Sequence, residues 1–424
     1  MKEQYFLLHL LIFFFIISPL KAQEPPNILV IIADDAGWGD FGFHNSRIKT
    51  PVLDALANKA MQLDRFYVNP TCSPTRASFL TGKPASRMGI VAPISNKSEL
   101  TLPDSIVTLP QLLKKNNYET ALFGKWHLGL QPANGPEKYG FDYSYGFLHG
   151  QIDQYTHNYK NGDKSWHRNG NFIEEKGHTT DLITKETIKW LNDIRNPSKN
   201  FFLQIAYSAP HFPLQEENKW KKPYKDVFKN QSRIDYAASL THMDHAIGSI
   251  LKVLKRMELD QNTIILFFSD NGAMENWYPT NQYNGKFAAN PELGKNIPLR
   301  DWKTSNYEGA IRVPAFIYWK DQISSGVNAN YFSVIDMMPT IAKICGITKV
   351  LNTVEGKDVS DYLLNNNNFK NTIYVRGHIQ ESIITAPWKL IRTRSRTNET
   401  QYELYNLETD SYETYNVANK NPSI

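Results

Sequence analysis

The stretch NILVIIADD, residues 27–35, decides the fold. Ile28 to Ile32 form an unbroken apolar run, and Asp34 and Asp35 close it. A strand with one wet face alternates apolar and polar residues, whereas a strand covered on both faces does not. The run therefore predicts a parallel strand inside a sheet, with two carboxylates at its carboxyl end.

Working outward, strands and helices alternate. PVLDALANKAMQLDRFY (51–67) places Leu53, Leu56, Ala57, Ala60 and Met61 at helical spacing. VTLPQLLKKNNY (107–118) reads as a short helix and ETALFGKWHLG (119–129) as a strand. TTDLITKETIKWLNDI (179–194) is helical and NFFLQIAYSAPHFP (200–213) extended. IDYAASLTHMDHAIGSILKVLKRM (234–257) is a long amphipathic helix, followed by the strand NTIILFFSDNG (262–272). This order predicts an α/β fold, a large, mostly parallel sheet flanked by helices. After Gly346 the chain turns polar, with Asn365–Asn368 as a loop. TIYVRGH, SIITAPWKLIRTR and QYELYNLETD then read as antiparallel strands of a small C-terminal α+β unit, expected over 349–424.

Composition narrows the class. Of 424 residues, 41% are hydrophobic and 12% aromatic, enough for a sizeable core. The net charge of +5 is mild, and no long Lys/Arg block points to nucleic acid. At the start, Lys2 precedes an apolar run from Tyr5 to Ile17 that only His9 interrupts, and Ser18, Pro19 and Ala22 follow. This reads as a secretory signal peptide over 1–22, with an uncleaved anchor as the alternative. No cysteine lies near the cut, so a lipoprotein anchor is not expected. An exported protein, periplasmic or secreted and without a stable membrane anchor, is expected, with its main unit over 23–348.

Four strands end in reactive residues: Asp34 and Asp35, Lys125 and His127, His211, and Asp270 and Asn271. Ligands of open α/β sheets bind outside the carboxyl ends of strands, so these clusters are expected to converge. Each alone is an ordinary turn or a structural histidine. Asp34, Asp35, Asp270 and Asn271 are hard oxygen donors suited to Ca²⁺ or Mg²⁺. The chain has two cysteines. Cys345 sits in the apolar helical pattern DMMPTIAKICGI and reads as a buried small hydrophobe. Cys72, in CSPTRASFLTG (72–82), falls just before a helix whose first turn contains Pro74. A helix start attracts anions, and Arg76, Lys125 and Lys303 add cations there. The residues alone thus describe a tetrahedral anion held between cations, a metal and a nucleophile at position 72. His127 and His211 serve as base and acid.

CSPTRASFLTG resembles the signature of the type I sulfatases, and GKWHLG (124–129) resembles their second signature. ADD, APHFP, SDNG, WKTSNYEGAIRVP and the closing ELYNLETDSYETYNVA match further motifs in the same order, from about residue 26 to 418. The resemblance implies an alkaline-phosphatase-like fold and a sulfuric ester hydrolase. It implies that a maturation enzyme converts Cys72 to formylglycine, whose hydrate is the nucleophile. It implies a Ca²⁺ bound by Asp34, Asp35, Asp270, Asn271 and modified Cys72, with Arg76 supporting them. Lys125 and Lys303 would bind sulfate oxygens, His127 would assist sulfate release, and His211 would protonate the leaving oxygen.

Three other readings compete. A phosphodiester or phosphonate hydrolase on the same scaffold would handle a similar anion. A non-catalytic binder of sulfated glycans would leave Cys72 unmodified. A thiol hydrolase would leave four hard donors unexplained. For the substrate, GFLHGQIDQYTHNY (146–159) offers His149, Gln151, Asp153, Tyr155 and His157, and NWYP (276–279) adds Trp277 and Tyr278. Aromatic faces beside polar groups suit a sugar ring. A sulfated polysaccharide or its oligosaccharides is the expected substrate.

Overall fold

The computed structural model describes residues 24–95, 98–347, 354–365, 367–394 and 399–424. The expected signal peptide and the expected boundary at 348/349 lie outside the described residues. Among the described residues, no helix is long and apolar enough to cross a membrane.

Ten strands form the large sheet: β1 (Asn27–Ala33), β2 (Met61–Tyr67), β3 (Glu119–Lys125), β4 (Tyr143–Phe147), β5 (Trp166–Arg168), β6 (Asn171–Phe172), β7 (Phe201–Ala206), β8 (Thr263–Ser269), β9 (Ala315–Trp319) and β10 (Gly326–Ser333). Their order is β10-β2-β9-β8-β1-β7-β3-β4-β5-β6. β1 is central and parallel to both neighbours, with Ile28 opposite Ile264 on β8 and Phe202 on β7. β3 continues the parallel block beside β7. The carboxyl ends of β1, β3, β7 and β8 therefore share one edge, and the four reactive clusters meet there. The sheet is mixed rather than wholly parallel, because β9 runs against both β8 and β2, and β5 and β6 turn back at the far edge.

The unbroken apolar run of β1 serves two cores. Ile28, Val30 and Ile32 face one, with Phe79, Leu80 and Met338. Leu29 and Ile31 face the other, with Leu240, Met243 and Ile247 of the long helix Gln231–Arg256. A strand needs no polar alternation when both faces are dry.

The stretch 51–67 is not a single helix: Pro51–Ala57 is helical, and Met61–Tyr67 is β2. Met61 and Leu63 are buried while Gln62 and Asp64 are only partly so, which is the period of a strand. Helical spacing across Ala57, Ala60 and Met61 arose where two elements adjoin.

The small sheet is the antiparallel series β11 (Thr372–Arg376), β12 (Gln380–Thr385), β13 (Trp388–Arg394) and β14 (Thr400–Asn406). Its apolar face, with Ile373, Ile384 and Ile391, packs on Tyr67, Ile311 and Tyr331 of the large unit. Before it, Val359 and Leu363 join the large core. At the junction Lys389 is fully buried, with Nζ 2.8 Å from Glu308 and 2.7 Å from Glu413.

Candidate active site

The helix carrying the cysteine runs Cys72–Thr81, and all ten of its residues are buried. Cys72 is its first residue rather than the residue before it; extended Thr71 takes the cap position. Arg76, 1% exposed, points back across the sheet edge. Its Nε and Nη2 donate to Asp270 Oδ2 at 3.1 and 2.7 Å, and its Nη1 donates to the Lys125 carbonyl at 3.0 Å. One guanidinium thus ties β8, β3 and the cysteine helix together.

The acids sit in the same nest. Asp34 Oδ2 accepts from Lys125 Nζ at 2.6 Å. Asp35, in the left-handed region with φ 65°, accepts on Oδ1 from Lys303 Nζ at 2.6 Å and Asn271 Nδ2 at 2.7 Å. Its Oδ2 lies 3.5 Å from His211 Nε2. Gly272 lets the Asp270–Asn271 turn close against the next segment, since a Cβ there would stand 1.8 Å from the Gly309 carbonyl. Burial and neighbouring carboxylates raise the pKa of Asp34 and Asp270, although Lys125 and Arg76 pull the other way. Burial also opposes ionisation of Asp35, but Lys303 and His211 outweigh it and hold its pKa low.

This donor set fits a hard divalent cation. Asp34 Oδ1 and Asn271 Oδ1 are buried without a hydrogen-bond partner. Two such oxygens among crowded carboxylates form the kind of all-oxygen shell that Ca²⁺ takes.

The nucleophile position is equally defined. Cys72 Sγ lies 3.2 Å from His127 Nδ1. His127 Nε2 donates to the Ile94 carbonyl at 3.0 Å, so Nδ1 is free to accept a proton from residue 72. Burial, then Lys125 and Arg76, hold the His127 pKa well below its usual range. Gly150 makes room for that ring, as a Cβ there would come within 2.5 Å of it. His211 Nδ1 donates to the Phe212 carbonyl at 2.6 Å, which leaves Nε2 toward the site. Burial lowers the His211 pKa to about 4. Burial raises the thiol pKa of Cys72, the opposite of what a thiolate nucleophile needs, and this weighs against a thiol hydrolase. Both cysteines are buried free thiols.

A cavity of about 230 Å³ opens above Cys72, His127, His211 and Lys303. Of the residues expected to meet substrate, Gln151 and Trp277 line it. The other five lie outside its lining. His149 stacks on Tyr159 and bonds Ser165, and His157 stacks on Trp166. Asp153 is spent on the backbone of Tyr155 and Thr156 and on Lys286. Tyr155 lies in a separate groove with Trp166 and Glu175, and Tyr278 is 59% exposed. A polar, aromatic loop needs such internal bonds to hold its own shape. Sequence reading missed the wall residues Ile94, Tyr159, Lys160, Phe212 and Met274. Ile94 carries no motif, whereas Tyr159 closes a loop already singled out and Lys160 directly follows it.

A second cluster joins His178, Glu216 and His242. His178 Nδ1 accepts from Thr180 N at 3.2 Å, so its Nε2 carries the proton; it lies 3.5 Å from Glu216 without a hydrogen bond and is not disposed as a metal ligand. The hydrogen bonds of the cluster run through His242, to Glu216 at 2.7 Å and to Asp181 at 3.0 Å.

Fold and site together define an α/β protein with a cavity, lined by Cys72, His127, His211 and Lys303, at the carboxyl edge of its sheet. The chain belongs to the sulfatase family: the family model described as Sulfatase matches residues 26–347. It is 35% identical over 307 residues to arylsulfatase J of Mus musculus, covering 69% of this chain and 48% of that protein. It is 29% identical over 392 residues to N-acetylgalactosamine-6-sulfatase of Mus musculus, covering 87% of this chain and 72% of that one. Thus it spans about half the length of the first relative. Among solved structures, it resembles Ps i-CgsB in complex with k-i-k-neocarrahexaose, with a TM-score of 0.84 and 30% identity over 94% of this chain and 90% of that one.

Proposed function

We propose that the protein hydrolyses sulfate esters of sulfated polysaccharides or their oligosaccharides. The observation that carries this is the Cys72–His127 pair in a cavity that Lys303 and His211 also line, with Lys125 and Arg76 buried behind it. Two names support the substrate class: one relative is an N-acetylgalactosamine-6-sulfatase, and one structural neighbour holds a neocarrahexaose.

Asp34, Asp35, Asp270, Asn271 and residue 72 would hold Ca²⁺, which supplies charge that polarises the sulfate oxygens. A formylglycine at position 72 would supply, when hydrated, one hydroxyl to attack sulfur and a second for release. The chain's own residues do the rest. Lys125 and Lys303 neutralise sulfate oxygens, and Arg76 fixes Asp270 and the strand edge. His127 takes a proton from residue 72 at its bare Nδ1. His211 delivers a proton from Nε2 to the leaving oxygen, and an anionic substrate beside it raises its pKa toward that task. We also propose export after cleavage of the 1–22 signal peptide, maturation of Cys72 by a dedicated enzyme, and a division into units 23–348 and 349–424.

The test is peptide mass spectrometry at residue 72 of protein made with a maturation enzyme, combined with rates on matched aryl sulfate and phosphate esters. Formylglycine and a preference for sulfate are expected. An active preparation holding only unmodified thiol would sink the modification. A preference for phosphate would favour the phosphodiesterase reading instead.

A further inference from the structure

The cations around the cavity are not alike. Lys303 is bonded to Asp35 at 2.6 Å, and Lys125 to Asp34 at 2.6 Å. Beyond the cavity floor, Lys286 pairs with Asp153 and Lys164 with Glu174. Lys160 differs: it lines the cavity, and among the described residues it has no carboxylate partner. Its backbone is anchored, because the Lys160 carbonyl accepts from Tyr283 N at 2.8 Å. Its ammonium lies 5.4 Å from the centre of the Tyr159 ring. Tyr159, Phe212, Met274 and Trp277 make the neighbouring wall largely apolar.

Lys160 is half-buried, so the apolar wall takes part of the water from its ammonium and offers no carboxylate in return. Burial accordingly lowers the Lys160 pKa, with no opposing charge to restore it. The catalytic anion does not explain Lys160, since Lys125, Lys303 and Arg76 already surround that position.

We infer that Lys160 is a specificity residue that binds a second anionic group of the substrate, a sulfate or carboxylate on the same or an adjoining sugar, while the scissile ester sits above Cys72. This rests on the sulfate-ester reading above and narrows it to glycans with more than one negative charge near the reacting ring. The aromatic wall holds the sugar faces between the two charges.

The experiment uses matured enzyme and three matched oligosaccharides: one with the scissile sulfate alone, one with a second sulfate and one with a carboxylate. Wild type, Lys160→Gln and Lys160→Arg are compared, with an activated aryl sulfate as reference. Lys160→Gln should lower kcat/KM about tenfold to a hundredfold, mainly through KM, on whichever doubly charged substrate is bound there. Turnover of the singly charged oligosaccharide and the aryl sulfate should change less than about twofold, and Lys160→Arg should recover most of the loss. Which doubly charged arm suffers tells sulfate from carboxylate. Equal losses on all substrates, or no loss on any, would overturn the assignment. Should wild type fail on every sulfate ester, the sulfate-ester reading falls. Equilibrium binding of the same three oligosaccharides then decides Lys160, whose replacement should weaken only the doubly charged ones.

Discussion

Asp34 and Asn271 each keep one buried oxygen without a partner. Leaving such a group unsatisfied costs about 1–3 kcal/mol, so a cation that satisfies both should stabilise the fold directly. Adding Ca²⁺ to chelator-treated protein is expected to raise Tm in proportion to the logarithm of its concentration. Asp34→Ala should abolish that rise, a result that differential scanning fluorimetry reads without any substrate. The histidines make a separate prediction. If His211 protonates the leaving oxygen, His211→Ala should cost about a hundredfold to ten-thousandfold on a sugar sulfate, whose alkoxide leaves poorly. The cost should be much smaller on an activated aryl sulfate. Equal losses on both, with chemistry rate-limiting, would remove the acid role.

At the scale of elements, the long helix Gln231–Arg256 carries a charge device of its own. His242 Nδ1 is 2.7 Å from Glu216, and its Nε2 is 3.0 Å from Asp181. His178 faces Glu216 from the other side, and Trp220 stacks on the His242 ring. Burial alone would lower the His242 pKa, but the two carboxylates outweigh it and raise it from 6.5 to about 9. The folded state thus holds an extra proton in that interval. The stabilisation is complete below about pH 6.5 and is lost as pH rises through about 9. Tm should fall across this window, and His242→Gln should flatten the slope whatever it does to Tm itself. Legibility in the sequence follows the same elements. β1 and β8 are readable as unbroken apolar runs covered on both faces, and β3 and β7 as shorter apolar stretches, β7 interrupted only by buried Gln204. Their terminal residues therefore revealed the acids, the lysine and the histidines of the site. β2 was hidden because its first residues continue the spacing of the preceding helix. β5 and β6, at three and two residues, are too short for any period. The cavity wall was the least legible part, since Ile94, Met274 and Lys160 come from loops that only the folded chain assembles.

In the whole molecule, the small sheet supplies, among the described residues, none to the cavity yet braces it. Asn306 donates to the Val375 carbonyl and Ser382 Oγ, Arg300 to Tyr405 Oη and the Glu413 carbonyl, and Tyr307 to Glu403. These three residues flank Lys303. Lys389 locks the junction by pairing at once with Glu308 and Glu413, all three fully buried. Removing one partner of such a cluster typically costs about 3–5 kcal/mol, because the remaining charges stay buried. Lys389→Ala should therefore lower denaturant stability by that order. It should also weaken aryl sulfate turnover, although residue 389 never meets substrate. Unchanged stability would mean that water enters the junction.

Cys72 is 2% exposed, on a helix with no exposed residue. No second enzyme can grip that segment once the native state has formed. The proposed oxidation of Cys72 must then win a race against folding of its own chain. Yield of active protein becomes a matter of timing: the segment has to stay extended long enough to be captured. Substitutions that speed collapse around β1 and this helix should give well-folded protein with an intact thiol and no activity. Slower folding, or more of the modifying enzyme, should restore it.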